Sequence, residues 1–345
     1  MNERQRNIAL FLGLAVIGLA APFLFPGYMT QITKLWIFVV LALTWDFVGG
    51  QMGYNSFGNI IFFGIGMYAC ATTQVGLFYP VGEYTAAKGG GVEFIFDAAQ
   101  FFQGLMAGLP LGGIVAAAFA IVIGAAVLGM RGHYFAICTL GLGIAAGEIA
   151  AGWEWLGAGS GMTTPEPPDG INTGLLYYFL SLGLAGITFM VLGWLLASRF
   201  GLAINAIRDD EDKAESMGHN TIRVKVIAWT VSAFFLGIAG GIYGNVSKFI
   251  DPIDVAFSGA ELGVWMILMA ILGGKGTIWG PVLGAVVFQI TKELFWTYLL
   301  GWQRVALGLL IVLIVVFFPQ GILGWIRERF PERFGQRLDL KRKEG

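Results

Sequence analysis

Ten apolar runs, none of them alternating with polar residues, dominate this chain: near 8–26, 35–50, 57–78, 101–129, 133–152, 174–197, 226–247, 260–273, 277–299 and 304–318. An α-helix rises ~1.5 Å per residue and a bilayer's hydrocarbon core is ~30 Å thick, so about 20 apolar residues make one crossing. Unalternating runs of this length predict helices and argue against a β-barrel, whose strands alternate lipid-facing and lumen-facing residues. Charged residues make up 12% of the chain, against roughly 25% in a soluble domain. So few charges cannot cover a water-facing surface, and most of the exterior must face lipid. The expected fold is all-α and polytopic, with eight to ten transmembrane helices. The short runs at 35–50 and 260–273 read equally as crossings or as re-entrant segments. The run at 8–26 follows MNERQRN and contains GLAAP, and is read as a retained first span rather than a cleaved signal.

The distribution of charge predicts an orientation. After Pro319 the chain carries seven of its 21 basic residues: Arg327, Arg329, Arg333, Arg337, Lys341, Arg342 and Lys343. Basic residues collect on the cytoplasmic side, so residues 326–345 are expected to form a basic cytoplasmic tail on a 1–325 membrane domain. Ten crossings then put both termini in the cytoplasm. The loops at 79–100, 153–173 and 248–259 fall outside and hold only Lys88 and Lys248, whereas 198–225 falls inside with five basic residues. Cys70 and Cys138 sit within apolar runs and read as small core residues, with no metal site. A net charge of −1 gives no reason to expect a nucleic-acid partner.

The densest charge cluster, AIRDDEDKAESMGHN at 206–220, lies in the inside loop 199–225. It reads as a short helix with Asp209 and Asp210 at its N-terminus and Gly218 as a left-handed stop. Ala214 and Met217, three apart, form its small apolar face, while Asp212 and Glu215 lie on polar sides. A helix of about two turns is marginal alone in water and needs a partner or a surface. The alternatives are a docking helix for a cytoplasmic protein and a solvated loop that only fixes topology.

DKAESMG, Asp212 to Gly218, resembles the E-A-A-x-x-x-G element in the cytoplasmic loop of ATP-binding-cassette importer permeases, with Lys213 departing from the first Ala. The surrounding 198–244 is similar to the corresponding region of the second membrane subunit of branched-chain amino acid importers. GGQMGYNSFGNIIFFGIGMYA (49–69), RGHYFAICTLGLGIAAGEI (131–149), ILGGKGTIWGPVLGAVV (271–287) and FFPQGILG resemble further signatures of that family, in order along nearly the whole chain. The resemblance implies a multi-pass permease of the bacterial inner membrane with an ABC importer permease fold. It also implies a second permease subunit, two cytoplasmic ATPases and a periplasmic substrate-binding protein. No G-x-x-x-x-G-K-[ST] phosphate cradle is present, so no cofactor is expected here and ATP is handled by partner subunits. Relatives carrying urea, short amides or aromatic acids keep the substrate open. A self-sufficient secondary transporter is the remote alternative, and its coupling carboxylates would have to be Asp46 and Glu148. A membrane enzyme lacks any catalytic motif.

Two glycine-rich breaks mark the expected pathway: Gly53, Tyr54, Asn55, Ser56, Gly58 and Asn59 in the first half, and Gly273, Gly276 and Gly280 in the second. Interrupted helices from related halves free backbone groups that bind polar solutes; equally, glycines permit tight helix packing. Asn59 departs from the family, which often carries His there. Glu148, inside the run at 133–152, is expected to face protein or a water-filled cavity, as a structural hydrogen-bond acceptor or as a pathway charge. The Lys292–Glu293 pair raises the same question.

Overall fold

The computed structural model describes residues 13, 16–86, 94–168, 170–299, 301–317 and 320–329. Helix α1 covers 16–24. α2 (Met29–Trp45) is entered through a 3₁₀ turn at Pro26–Tyr28 and left through a π-helical turn at Asp46–Gln51. α3 (Ile60–Gly76), the short α4 (Val81–Ala86), α5 (Ala98–Val127), α6 (Gly132–Gly152) and α7 (Thr173–Ala197) follow. Two short helices, α8 (Arg199–Asp209) and α9 (Glu211–Ser216), precede α10 (Thr221–Ser247). π-helical turns at Pro252–Ala256 and Gly259–Gly263 lead into α11 (Val264–Gly273), and α12 (Gly280–Tyr298), α13 (Gln303–Phe317) and α14 (Gly321–Arg329) are the last described elements. The only strands among the described residues are β1 (Met162–Thr163) and β2 (Phe249–Ile250), paired antiparallel.

Six helical stretches among the described residues are long and apolar enough to cross a membrane, including Pro26–Gln51 and Pro252–Gly273. The runs at 35–50 and 260–273 therefore lie within helical stretches of crossing length, the second interrupted at 257–258 between its two π-helical turns. Their π-helical turns count toward the crossing length, which the apolar run alone understates. Ile60–Gly76 is apolar but shorter. Of the expected tail, Gly321–Arg329 is helical and runs across the anticipated boundary at 325–326. Arg333, Arg337, Lys341, Arg342 and Lys343 lie outside the described residues.

The core is built on α3, α5 and α10, which pack mutually, with α2 joining them to α7 and α12. Small residues make that approach possible. A Cβ on Gly66 would stand 2.2 Å from Gly237, and one on Gly112 would stand 2.7 Å from the Gly66 carbonyl. Where no hydrophobic force favours one helix over lipid, such close backbone contact supplies the dispersion that holds spans together. Trp45, Trp229, Phe62 and Phe63 fill the wider spaces.

The loops expected on one side of the membrane are gathered at one end of the bundle. Residues 162–163 pair with 249–250, and Thr163 Oγ1 lies 3.4 Å from Tyr84 Oη. At the other end, Arg131 meets α9, Lys275 donates to Asn55, and Gly53 lies against Arg208.

Candidate functional site

The charged segment 206–220 forms two helices rather than one. Ser198, in extended conformation, turns the chain sharply out of α7 and accepts a hydrogen bond from the Phe200 amide to start α8. α8 buries Ala203, Ile204 and Ile207 and ends at Asp209. Asp210 is extended (φ −165°), and its carboxylate accepts from the Lys213 amide at 3.1 Å, capping α9. Asp210 alone is therefore the N-cap; Asp209 closes the preceding helix, a correction to the expectation that both begin one. Gly218 is left-handed at φ +89°, and the following His219 amide reaches back to the Ala214 carbonyl at 3.1 Å.

A second correction concerns the apolar face. Ala214 is 2% exposed, covered by this chain, whereas Met217 is 80% exposed. Met217 is the C-cap, where the backbone leaves helical geometry, so three-residue spacing no longer places it beside Ala214.

Beneath α9 lies a set of polar groups in the interior. Lys225, four residues after the start of α10, is only 1% exposed on its side chain. Its ammonium donates to three acceptors: the Leu128 carbonyl (2.6 Å), Glu211 Oε1 (2.7 Å) and Tyr54 Oη (2.9 Å). Tyr54 donates in turn to Glu211 Oε2. Burial alone raises the Glu211 pKa, but the hydrogen bonds from Lys225 and Tyr54, with the Lys225 and Arg131 charges, outweigh it and hold the carboxyl below its ordinary value. Arg131, on the loop between α5 and α6, pairs with Asp212, with Glu215 at 3.5 Å and with Glu211 at 3.6 Å. Glu215 also accepts from Thr221 Oγ1 at 2.6 Å. The α9 helix is thus clamped on one side by α10, by the α5–α6 loop and by the first glycine-rich break, and is open on the other.

The contacts continue inward. The Tyr54 ring meets Phe135 edge to face at 5.2 Å, Phe135 meets Trp229 at 5.9 Å, and Trp229 Nε1 donates to Asn59 Oδ1 at 2.8 Å. Asn59 is fully buried, with its Nδ2 unpaired. Ser56 Oγ accepts from the Gly58 amide, and a Cβ on Gly58 would sit 2.5 Å from the Thr139 carbonyl. Asn55 is exposed and accepts from Lys275 at 2.9 Å. The two breaks therefore meet each other: buried Asp46 accepts from the Gly276 amide at 2.8 Å, and Gly276 has φ +78°. Gly273 and Gly280 face each other across the tight α11–α12 turn, where a Cβ on Gly273 would overlap the Gly280 carbonyl.

Glu148 stands apart. It lies on the exposed face of α6, and no described residue gives it a hydrogen bond or ion pair. His133 and His219 are exposed, and the described residues hold no group of metal-ligating side chains.

Sequence reasoning does not single out Arg131, and it counts Lys225 only among the five basic residues of 198–225. A signal was present: Thr221, Lys225, Trp229 and Ser232 follow one another at helical spacing and form an inward stripe.

Residues 28–317 match the family described as branched-chain amino acid transport system, permease component. The chain belongs to that family. It is 28% identical to the high-affinity branched-chain amino acid transport system permease protein LivM of Salmonella typhimurium, over 95% of this chain and 77% of LivM. The Escherichia coli K12 LivM is likewise 28% identical, over 94% and 77%. The E. coli K12 protein LivH is 31% identical over 128 residues, which is 37% of this chain and 40% of LivH. No solved structure matches.

Proposed function

We propose that this permease is one of two membrane subunits of an ATP-driven importer of branched-chain amino acids in a bacterial plasma membrane. In this reading the end of the bundle bearing α9 faces the cytoplasm, and α9 is the element an ATPase subunit engages. A separate binding protein delivers substrate to the opposite end. The observation that carries the reading is the Lys225–Glu211–Tyr54 linkage. It ties a short helix with one open face to the first glycine-rich break and to a core span. A push on α9 is thereby passed to residues 53–59 and to α10 rather than absorbed by a slack loop. Similarity to both LivM and LivH supports pairing with a second, homologous permease.

The open side of α9 carries Lys213, and Met217 stands exposed at its C-cap. Met217→Asp should leave the chain folded, since nothing in it covers the side chain, and should abolish co-purification of the ATPases and ATP-dependent leucine uptake in proteoliposomes. Retention of the ATPases with normal uptake would remove α9 as the contact. A cysteine at Asn220 should be labelled by an impermeant reagent only after the membrane is opened, and one at Gly170 from outside; the reverse pattern overturns the orientation.

A further inference from the structure

At the end opposite α9, α2, α10, α11, α12 and the π-helical turns before α11 line a cavity of about 320 Å³. That is near the lower end of the ~300–1,000 Å³ range of small-molecule pockets. α2 contributes Lys34, the π-helical turns before α11 contribute Asp254 and Glu261, α11 contributes Trp265, and α12 contributes Lys292 and Glu293. Both signs of charge and an indole thus share one small space.

Lys292 is the informative group. Its side chain is 11% exposed, and its nearest carboxylate oxygen, on Glu293, is 3.9 Å away. The ammonium sits over the Phe38 ring at 4.8 Å and the Trp265 ring at 5.1 Å, and donates no hydrogen bond to any described residue. An ammonium carries three N–H donors, and those of Lys292 find no hydrogen-bond acceptor among the described residues and face the cavity. Lys225 at the other end shows what a satisfied counterpart looks like. Beyond the long ion pair to Glu293, the donors of Lys292 open onto the cavity and have room for a closer oxygen acceptor.

We propose that this cavity is a binding site for a zwitterionic amino acid, with the ligand carboxylate on Lys292 and its ammonium toward Asp254 and Glu293. Trp265 supplies the wall for an apolar side chain. The proposal rests on the reading of the chain as an amino acid permease and locates within it a site where solute rests after leaving its binding protein. A purely anionic ligand would face the carboxylates, and a purely cationic one would face Lys34 and Lys292. A zwitterion satisfies both.

The test uses the complete transporter, first in proteoliposomes with the binding protein and ATP, then as the permease–ATPase complex in nanodiscs without the binding protein. Radiolabelled leucine should bind the nanodisc complex and be displaced by unlabelled leucine. Leucinamide, which lacks the carboxylate, and 4-methylpentanoate, which lacks the ammonium, should displace it at least tenfold less well. Lys292→Met should weaken leucine binding at least tenfold, and Lys292→Arg should restore most of it. Asp254→Asn, a second variant with an exposed side chain, should reduce the preference for leucine over 4-methylpentanoate. Wild-type affinity in Lys292→Met, or equal displacement by all three compounds, overturns the site while leaving import untouched. Failure of the wild-type complex to import any branched-chain amino acid overturns the parent reading instead, and nanodisc titration of other zwitterions then still decides the pocket.

Discussion

The two ends of the bundle use the same residue in opposite ways. At the α9 end, Lys225 spends all three donors on protein acceptors, and its neighbours Glu211 and Tyr54 are closed over it. At the far end, Lys292 is nearly as enclosed but meets only rings and a distant carboxylate. A buried lysine with every donor satisfied holds elements together; one left unsatisfied beside a cavity is available to a ligand. Burial alone does not distinguish the two, and the count of acceptors does.

The strongest way to break this comparison is to remove each lysine. Lys225→Met leaves Glu211 enclosed without its cation, and breaking a buried pair from one side costs about 3–5 kcal/mol. The variant should show a large fall in thermal midpoint in detergent, and α9 should become sensitive to protease. Lys292→Met gives up cation–π contacts of about 0.5–2 kcal/mol but also removes an ammonium with no acceptor, so its midpoint should barely move. Equal losses in the two variants would erase the distinction between structural and ligand-directed lysine.

A smaller effect tests the clamp through its turn. Gly218 has φ +89°, and no atom lies within 4 Å of where a Cβ would stand. Crowding is therefore not at issue, only backbone conformation. Gly218→Val should cost about 1–3 kcal/mol, localised to α9, seen as faster hydrogen exchange at 214–219 with α10 unchanged. Exchange that spreads through α10 would mean that the turn supports more than α9.

Much of this architecture was legible in sequence because it follows from composition. Apolar length marked the helices, six stretches of which among the described residues are long and apolar enough to cross a membrane, and the asymmetry of charge sorted the loops into two groups that the structure gathers at opposite ends. Asp210 and Gly218 were readable as cap and stop because each residue type has a specific backbone use. What escaped was orientation within a turn. Ala214 and Met217 look like one face until the helix ends at Ser216. Lys225 reads as a topology charge until Thr221, Trp229 and Ser232 show which way that side of α10 points. The meeting of the two glycine-rich breaks, through Asp46 and Gly276, depends on packing between distant spans, and local pattern carries no record of it.

Strong acidity should loosen the α9 end. The Glu211 pKa is held below its ordinary 4.5, so its pairing contributes fully above that value and is lost as pH falls through the lower folded value. Protease sensitivity at 206–220 should therefore rise only below about pH 4.5 in the wild type, and this acid step should be absent in Glu211→Gln, which starts already loosened. A transition centred near neutrality would mean that some group other than Glu211 governs the clamp.

The smallest effect concerns the rim of the clamp. Glu215 is about half exposed, as is its partner Arg131, at 3.5 Å. Ion pairs in water at this separation contribute only ~0–1 kcal/mol, because solvent screens the charges and holding two long side chains costs entropy. Glu215 also accepts from Thr221 Oγ1, a bond that an amide oxygen can keep. Glu215→Gln should therefore lower the thermal midpoint by no more than a degree or two, on the order of what ~0–1 kcal/mol produces. Arg131 would still pair with Asp212 and Glu211. Salt near 1 M should lessen even this difference, since the screening length then falls to ~3 Å, about the separation of the pair. If Glu215→Gln instead matches the loss in Lys225→Met, the rim and the buried pair act as one cooperative unit, and the line between them must be redrawn around Arg131.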